Sequence, residues 1–170
     1  IMPSLVGSEM CIRDRDYKTE RRVKKLVLWD TSKLVPTAEY KITCRDICFG
    51  EDEHTLLIVD PYGIKEIDIR TGKVTIVLEG EFHKAAYNPL DNNIIFYSDE
   101  IDAYYYNRTT GTSEHLHTVT KGAGVFPFRH YRFTENHLQI MMCRNYTLQI
   151  DLRDYTTRKM YFSEDENCRV

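Results

Sequence analysis

The 170-residue chain carries 23 Lys and Arg against 26 Asp and Glu, for a formal net charge of −3, with 42% hydrophobic and 12% aromatic residues. Charge so nearly balanced argues against a chain-wide surface for nucleic acid or lipid, and no apolar run approaches the roughly 18 residues that cross a bilayer as a helix. Twelve tyrosines and many β-branched residues favour strands, so the expected class is all-β.

The opening reads as foreign. Leu5 to Asp14 spells ten consecutive codons of a transposase adapter used in sequencing libraries, and two further adapter bases begin the codon of Arg15. Ile1-Met2-Pro3-Ser4 has the length of a sample index between fixed bases. Residues 1–15 are therefore expected to be a non-native leader, which leaves the chain a fragment whose true start lies elsewhere. Residues 16–25 form a charged leader or connecting loop in which Lys18, Arg21, Arg22, Lys24 and Lys25 outnumber Asp16 and Glu20. Their alternative role is a basic arm for nucleic acid, which the missing aromatic interleaving disfavours.

Strand signals follow. Leu26 to Asp30 is a short apolar strand, and Thr31 to Pro36 turns the chain. Ala38–Thr43, Asp46–Phe49, Leu56–Val59 and Ile64–Ile69 come next, the third an unbroken apolar run of the kind buried on both faces. Asp60-Pro61-Tyr62-Gly63 makes a tight turn between the last two. A second group contains Ala85–Tyr87, Ile94–Tyr97 and Ile101–Tyr106, with Asn88 to Asn93 as a turn cluster. Alternation puts Tyr104 and Tyr106 on one face and Tyr105 on the other, so the three are expected to pack in a core. A third group, Tyr131–Phe133, Leu138–Cys143 and Thr147–Leu152, follows a Gly-rich insertion over Val119–Phe128. Arg158–Phe162 is read as the start of a further unit, and residues 164–170 as a polar tail.

One step recurs through these groups. Apolar-Asp or apolar-Asn followed by a polar turn appears at Asp30, Asp68, Asn107 and Asp151, with intervals of 38, 39 and 44 residues. Phe49 to Tyr87 and Leu57 to Ile95 independently repeat an interval of 38. Four-stranded repeats recur at about this period, roughly 40 to 45 residues. The pattern resembles the WD40 family of β-propellers: Trp29-Asp30 is a true Trp-Asp pair, replaced elsewhere by Ile67-Asp68, Tyr106-Asn107 and Ile150-Asp151. Gly80-Glu81-Phe82-His83 stands where the family has Gly-His. The resemblance implies a partial β-propeller over residues 26–163, with about three four-stranded antiparallel blades near 38–69, 80–106 and 119–152 plus flanking strands. It gives Trp29, Asp30, Asp68, His83, Asn107 and Asp151 structural roles in the repeat.

The resemblance also implies a non-catalytic protein–protein interaction scaffold, with no cofactor and a protein or peptide as partner. The insertion supplies the contact residues expected for it, Lys121, Phe126, Phe128, Arg129 and Arg132, because functional groups concentrate on loops held by a rigid frame. No Gly-x-Ser-x-Gly elbow or His-Glu-x-x-His run is present. The enzymatic alternative is a hydrolase or lyase in which inward acids such as Glu66 or Asp102 meet a metal, with further blades completing the site. His115 and His117 would share one face of a strand, although two ligands alone do not make a metal site. Beyond the adapter's Cys11, Cys44, Cys48, Cys143 and Cys168 lack Cys-x-x-Cys spacing and read as thiols of a reducing compartment, the cytoplasm or nucleus. An unclosed ring leaves open sheet edges that invite self-association.

Overall fold

The computed structural model describes residues 26–30, 32–50, 52, 54–118, 131–141 and 146–161, the Met141 side chain excepted. The leader over 1–25 and the tail over 164–170 lie outside the described residues. Every regular element described is a strand. The chain divides into two compact units, with the boundary between Arg45 and Asp46.

In the first unit β1 (Leu26–Asp30) pairs antiparallel with β2 (Val35–Tyr40). Asp30 shapes the turn between them: its Oδ1 accepts the backbone N–H groups of Ser32 at 3.0 Å and Lys33 at 3.1 Å. The Ser32 hydroxyl, then the Lys33 ammonium, bind the same carboxylate and hold its pKa well below the ordinary aspartate range. Trp29 sits beside it in β1, its indole N–H buried with no acceptor among the described residues.

The second unit contains three four-stranded antiparallel sheets, each a meander in chain order. The first is β3 (Asp46–Phe49), β4 (Thr55–Asp60), β5 (Gly63–Asp68) and β6 (Val74–Glu79). β7 (Lys84–Asn88), β8 (Asp91–Ser98), β9 (Asp102–Asn107) and β10 (Thr112–Thr118) make the second. The third consists of β11 (Tyr131–Phe133), β12 (His137–Met141), β13 (Tyr146–Asp151) and β14 (Thr157–Tyr161).

Most of the expected strands are present, but the one expected over Ala38–Thr43 is Val35–Tyr40, with Pro36 tolerated because the strand is an edge, and the grouping differs by one strand. Residues 38–40 pair with β1 rather than opening the first sheet, which instead takes Val74–Glu79 as its fourth strand. Thr112–Thr118 closes the second sheet, and the strand expected at Arg158–Phe162 to begin a new blade is β14 of the third. The limits 38–69, 80–106 and 119–152 are thereby replaced by sheets over 46–79, 84–118 and 131–161. The cause is the recurrent acidic step itself, which makes a hairpin and therefore lies inside a sheet.

Four turns share one plan. Oδ1 of Asp68 accepts the N–H groups of Arg70 and Thr71 at 2.9 and 3.0 Å, and Oδ1 of Asn107 those of Thr109 and Thr110 at 2.9 and 3.2 Å. Asp151 takes the N–H of Arg153 at 2.8 Å. An acceptor on a short side chain lets the backbone reverse without orphaned donors. The N–H groups of Gly72, Gly111 and Tyr155 then close back on the carbonyls of Asp68, Asn107 and Asp151. All four turns put the residue four places after the acid or amide at positive φ: Leu34 at 55°, Gly72 at 70°, Gly111 at 71° and Tyr155 at 62°.

Two of those positions therefore lack the residue best suited to them. A Cβ at Gly72 or Gly111 would meet nothing within 4 Å, so substitution there tests backbone strain alone. Gly111→Ala should lose about 1 kcal/mol of stability. Leu34, whose side chain is 75% exposed, has little packing to lose. Leu34→Gly should leave stability unchanged or raise it by up to about 1 kcal/mol, and urea melts of the two variants in parallel check the sign.

Sheet two lies between the other two. One of its faces contributes Ala85, Ile95 and Tyr97 to a cluster with Leu57, Val59 and Ile64 of the first sheet. The other contributes Ile94, Phe96 and Ala103 to a cluster with Leu138, Ile140, Leu148 and Ile150 of the third. Tyr104 and Tyr106 join the first cluster and Tyr105 the second, as strand alternation requires.

Candidate interaction surface

Antiparallel meanders sort the connections to two ends. The Asp68, Asn107 and Asp151 turns share one end, and the backbone there repeats as well. N–H groups of Ile69, Arg108 and Leu152 bond the carbonyls of His54, Asn93 and Asn136 at 2.8, 2.8 and 2.9 Å. Buried Asn88 fastens this end between sheets, its Nδ2 donating to the Leu152 carbonyl at 2.8 Å while its Oδ1 accepts the Leu90 N–H at 2.9 Å. An end so uniformly bonded is framework.

At the opposite end Asp60 Oδ1 accepts the Tyr62 N–H at 2.7 Å and Asp99 Oδ1 those of Ile101 and Asp102 at 2.9 and 2.8 Å, but the connections differ in length. It holds the Pro61-Tyr62 turn, with Tyr62 78% exposed, the connections over 80–83 and 99–101, and Thr118 and Tyr131, the described residues on either side of 119–130. Here the first strands of the three sheets begin, at Asp46, Lys84 and Tyr131. These three side chains form a row. Lys84 Nζ donates to Asp46 Oδ1 at 2.8 Å, and lies 5.8 Å from the centre of the Tyr131 ring. Such a charge, held by a carboxylate on one side and an aromatic face on the other, joins all three sheets. Beneath it the Ser98 and Tyr131 hydroxyls are buried neighbours that fall short of a formed hydrogen bond. Burial pushes the Tyr131 hydroxyl pKa well above the ordinary tyrosine value, the Ser98 hydroxyl opposing the shift.

Of the contact residues expected from the sequence, Lys121, Phe126, Phe128 and Arg129 lie outside the described residues. Arg132 is described, and it is exposed in the middle of β11. Its neighbours Tyr131 and Phe133 turn to the opposite face and pack against the core between sheets two and three. The residues that flank 119–130 are both fixed. Thr118 Oγ1 donates to Asp102 Oδ1 and lies 2.8 Å from His115 Nε2, and Tyr131 is held by its ring.

The histidine pair does not converge. A bulge between His115 and His117 shifts the strand register. His115 meets Asp102 at 3.2 Å and the edge of the Tyr104 ring, whereas His117 meets the Tyr146 hydroxyl at 3.3 Å. Burial, with Lys159 nearby, lowers the His117 pKa. For Asp102, burial raises the pKa, but the Thr118 and His115 bonds outweigh it and leave the carboxyl below its usual range. Glu66 is committed elsewhere: it accepts the Tyr87 hydroxyl and forms an ion pair with Arg108 at 2.9 Å, linking sheets one and two. The two acids named for an enzymatic site thus occupy different sheets, each with its own partners. No group of three or more His, Cys, Asp or Glu side chains among the described residues could hold a metal ion. His83 is tied through its backbone N–H to the Ser98 carbonyl at 2.8 Å.

Three consecutive meander sheets, packed face to face with their first strands joined through Asp46, Lys84 and Tyr131, are successive blades. Solved structures agree. The chain superimposes on the β-propeller domain of Myceliophteria thermophila Cps50 (Swd1) with a TM-score of 0.63 at 12% identity, covering 83% of this chain and 52% of that one. The fold is a partial β-propeller. An auxiliary nutrient binding protein from Bacteroides thetaiotaomicron matches with a TM-score of 0.64 at 18% identity, over 84% of this chain and 39% of that one. The N-terminal domain of Nup159 matches at 0.55 and 13% identity, over 81% and 38%. The chain therefore spans between about two fifths and half the length of these structures. No family model and no curated protein matches it. Among the described residues no helix of the propeller is long and apolar enough to cross a membrane.

Sequence reasoning passed over the Asp46, Lys84, Tyr131 row. A signal for part of it was present: Asp46 and Lys84 are 38 residues apart, the same offset as Phe49 to Tyr87, and each is a charged residue followed by three apolar or aromatic ones. Opposite charges at one register of successive repeats mark a contact between blades.

Proposed function

We propose that this propeller is a non-catalytic interaction scaffold that binds a protein or peptide at its variable end. The observation that carries the reading is the contrast between ends: three matching turns at one, and at the other an exposed Tyr62 and the pinned residues Thr118 and Tyr131 that flank 119–130. Functional groups concentrate on a connection held by a rigid frame. Lys121, Phe126, Phe128 and Arg129 are the contacts within that connection, and Arg132 extends them on the exposed side of β11. The half-buried Cys48 thiol is in no disulfide, in keeping with a reducing, intracellular setting.

Peptides selected from a random displayed library against the 170-residue chain provide the probe. Phe126→Ala with Phe128→Ala should reduce their binding at least about tenfold, in keeping with loss of aromatic anchors. Arg70→Ala and Arg153→Ala at the opposite end should leave it unchanged. Equal losses at both ends, or none at the variable end, would overturn the assignment.

A further inference from the structure

Every sheet ends in an outer strand, and four outer strands can be compared. β2 contains Pro36, β10 contains Glu114 with a bulge beside His115, and β14 contains Arg158 and Lys159. Proline, inward bulges and charge are the usual means of blunting an edge. β6 differs. Its sequence, Val74-Thr75-Ile76-Val77-Leu78-Glu79, has no charge before Glu79 and no proline. Val74 is 46% exposed and Ile76 57% exposed on the same side of the strand. One register irregularity opposite Ile64 and Lys65 affects only its second half, and no strand among the described residues pairs with its outer side.

We infer that β6 is a self-pairing edge, and that its occupant is the β6 of a second copy of this chain, run antiparallel. Charge selects this partner. The β6 hairpin begins at Lys73, next to an Arg70 that pairs with the Asp68 carboxylate at 4.0 Å, which leaves a net positive end, and finishes at an acidic one, Glu79; Arg70, Lys73 and Glu79 are exposed. An antiparallel copy lays each acidic end along the other's basic end, whereas a parallel copy would set like against like. Centring the pair on Thr75 places Thr75 opposite Thr75 and Val74 opposite Ile76 twice, all within the regular half of the strand. Two copies of one surface related by a two-fold axis form a closed dimer, so pairing stops at two. β6 lies in the first sheet, whereas residues 119–130 fall between the second and the third in the chain, so the two surfaces can be tested separately.

Sedimentation of the full chain across a concentration series tests it. The wild type should form a dimer and no larger species. Ile76→Lys should give a monomer with an unchanged melting temperature, because the side chain already points to solvent. Lys73→Glu and Glu79→Lys should each weaken the dimer by roughly tenfold, and the double variant Lys73→Glu with Glu79→Lys should recover it. A wild type that stays monomeric at every concentration would overturn the inference. So would a dimer indifferent to Ile76→Lys and to the charge swap, or a β6 edge that pairs only with an added extended peptide.

Discussion

Gly63→Ala should unfold this propeller more effectively than any other single-methyl addition to the first sheet. A Cβ at Gly63 would lie 2.2 Å from the Leu78 carbonyl oxygen and 3.3 Å from both the Leu78 carbonyl carbon and Glu79 Cα. All three are backbone atoms of β6, the strand to which β5 is hydrogen-bonded through Gly63 and Glu79. A flexible side chain could turn away from an added methyl, but a strand backbone cannot move without giving up its pairing. Overpacking typically costs about 1–3 kcal/mol, and contact with backbone puts this case at or above the top of that range. In a chain of this size a loss of about 3 kcal/mol lowers the melting temperature by roughly 6–12 °C. Calorimetry of Gly63→Ala beside Gly111→Ala separates the two mechanisms, since the second adds only torsional strain. Equal shifts in the two variants would show that β6 can shift aside at no cost.

That comparison bears on which parts of the fold can be read from sequence. The Asp30, Asp68, Asn107 and Asp151 series was legible because one local device, a side-chain oxygen capping two backbone N–H groups, recurs with the same residue types at nearly the same spacing. Leu56–Val59 and Ile94–Tyr97 were legible because strands buried on both faces must be continuously apolar. Sheet membership was not, since an interval counts turns without saying which strands share hydrogen bonds. The outer strands explain the remaining error. Thr112–Thr118 is mostly polar because only one side of an edge strand is covered, so it lacks the apolar signature that marks β8. Gly63 illustrates a different limit: in Pro61-Tyr62-Gly63 it reads as a turn glycine, yet the structure requires it for the close approach of Leu78 and records no positive φ there. Of the candidate contact residues Arg132 falls within the described residues, and the fold adds what fixes Thr118 and Tyr131 on either side of 119–130.

Phe96→Ala is the second large effect, and its location within the unit matters as much as its size. Phe96 is fully buried in β8, paired with Ala86 and Tyr105 on its two sides, and packs with Leu138, Ile140, Leu148 and Ile150 of the third sheet. The Tyr155 ring meets it edge-on at 6.1 Å, and Tyr155 itself holds the Asp151 turn at positive φ. Truncation to alanine should cost about 3–5 kcal/mol, combining lost transfer energy with an unfilled cavity. Because β8 alternates, the neighbouring Ile95 and Tyr97 face the first sheet and keep their contacts. The damage should therefore be one-sided: amide exchange at Leu148 and Ile150 rises steeply, while Leu57 and Val59 stay protected in the mild range of denaturant. Exchange that rises equally in both sheets would mean that the blades open as one cooperative body. In that case the face-by-face division of the core would describe packing without describing stability.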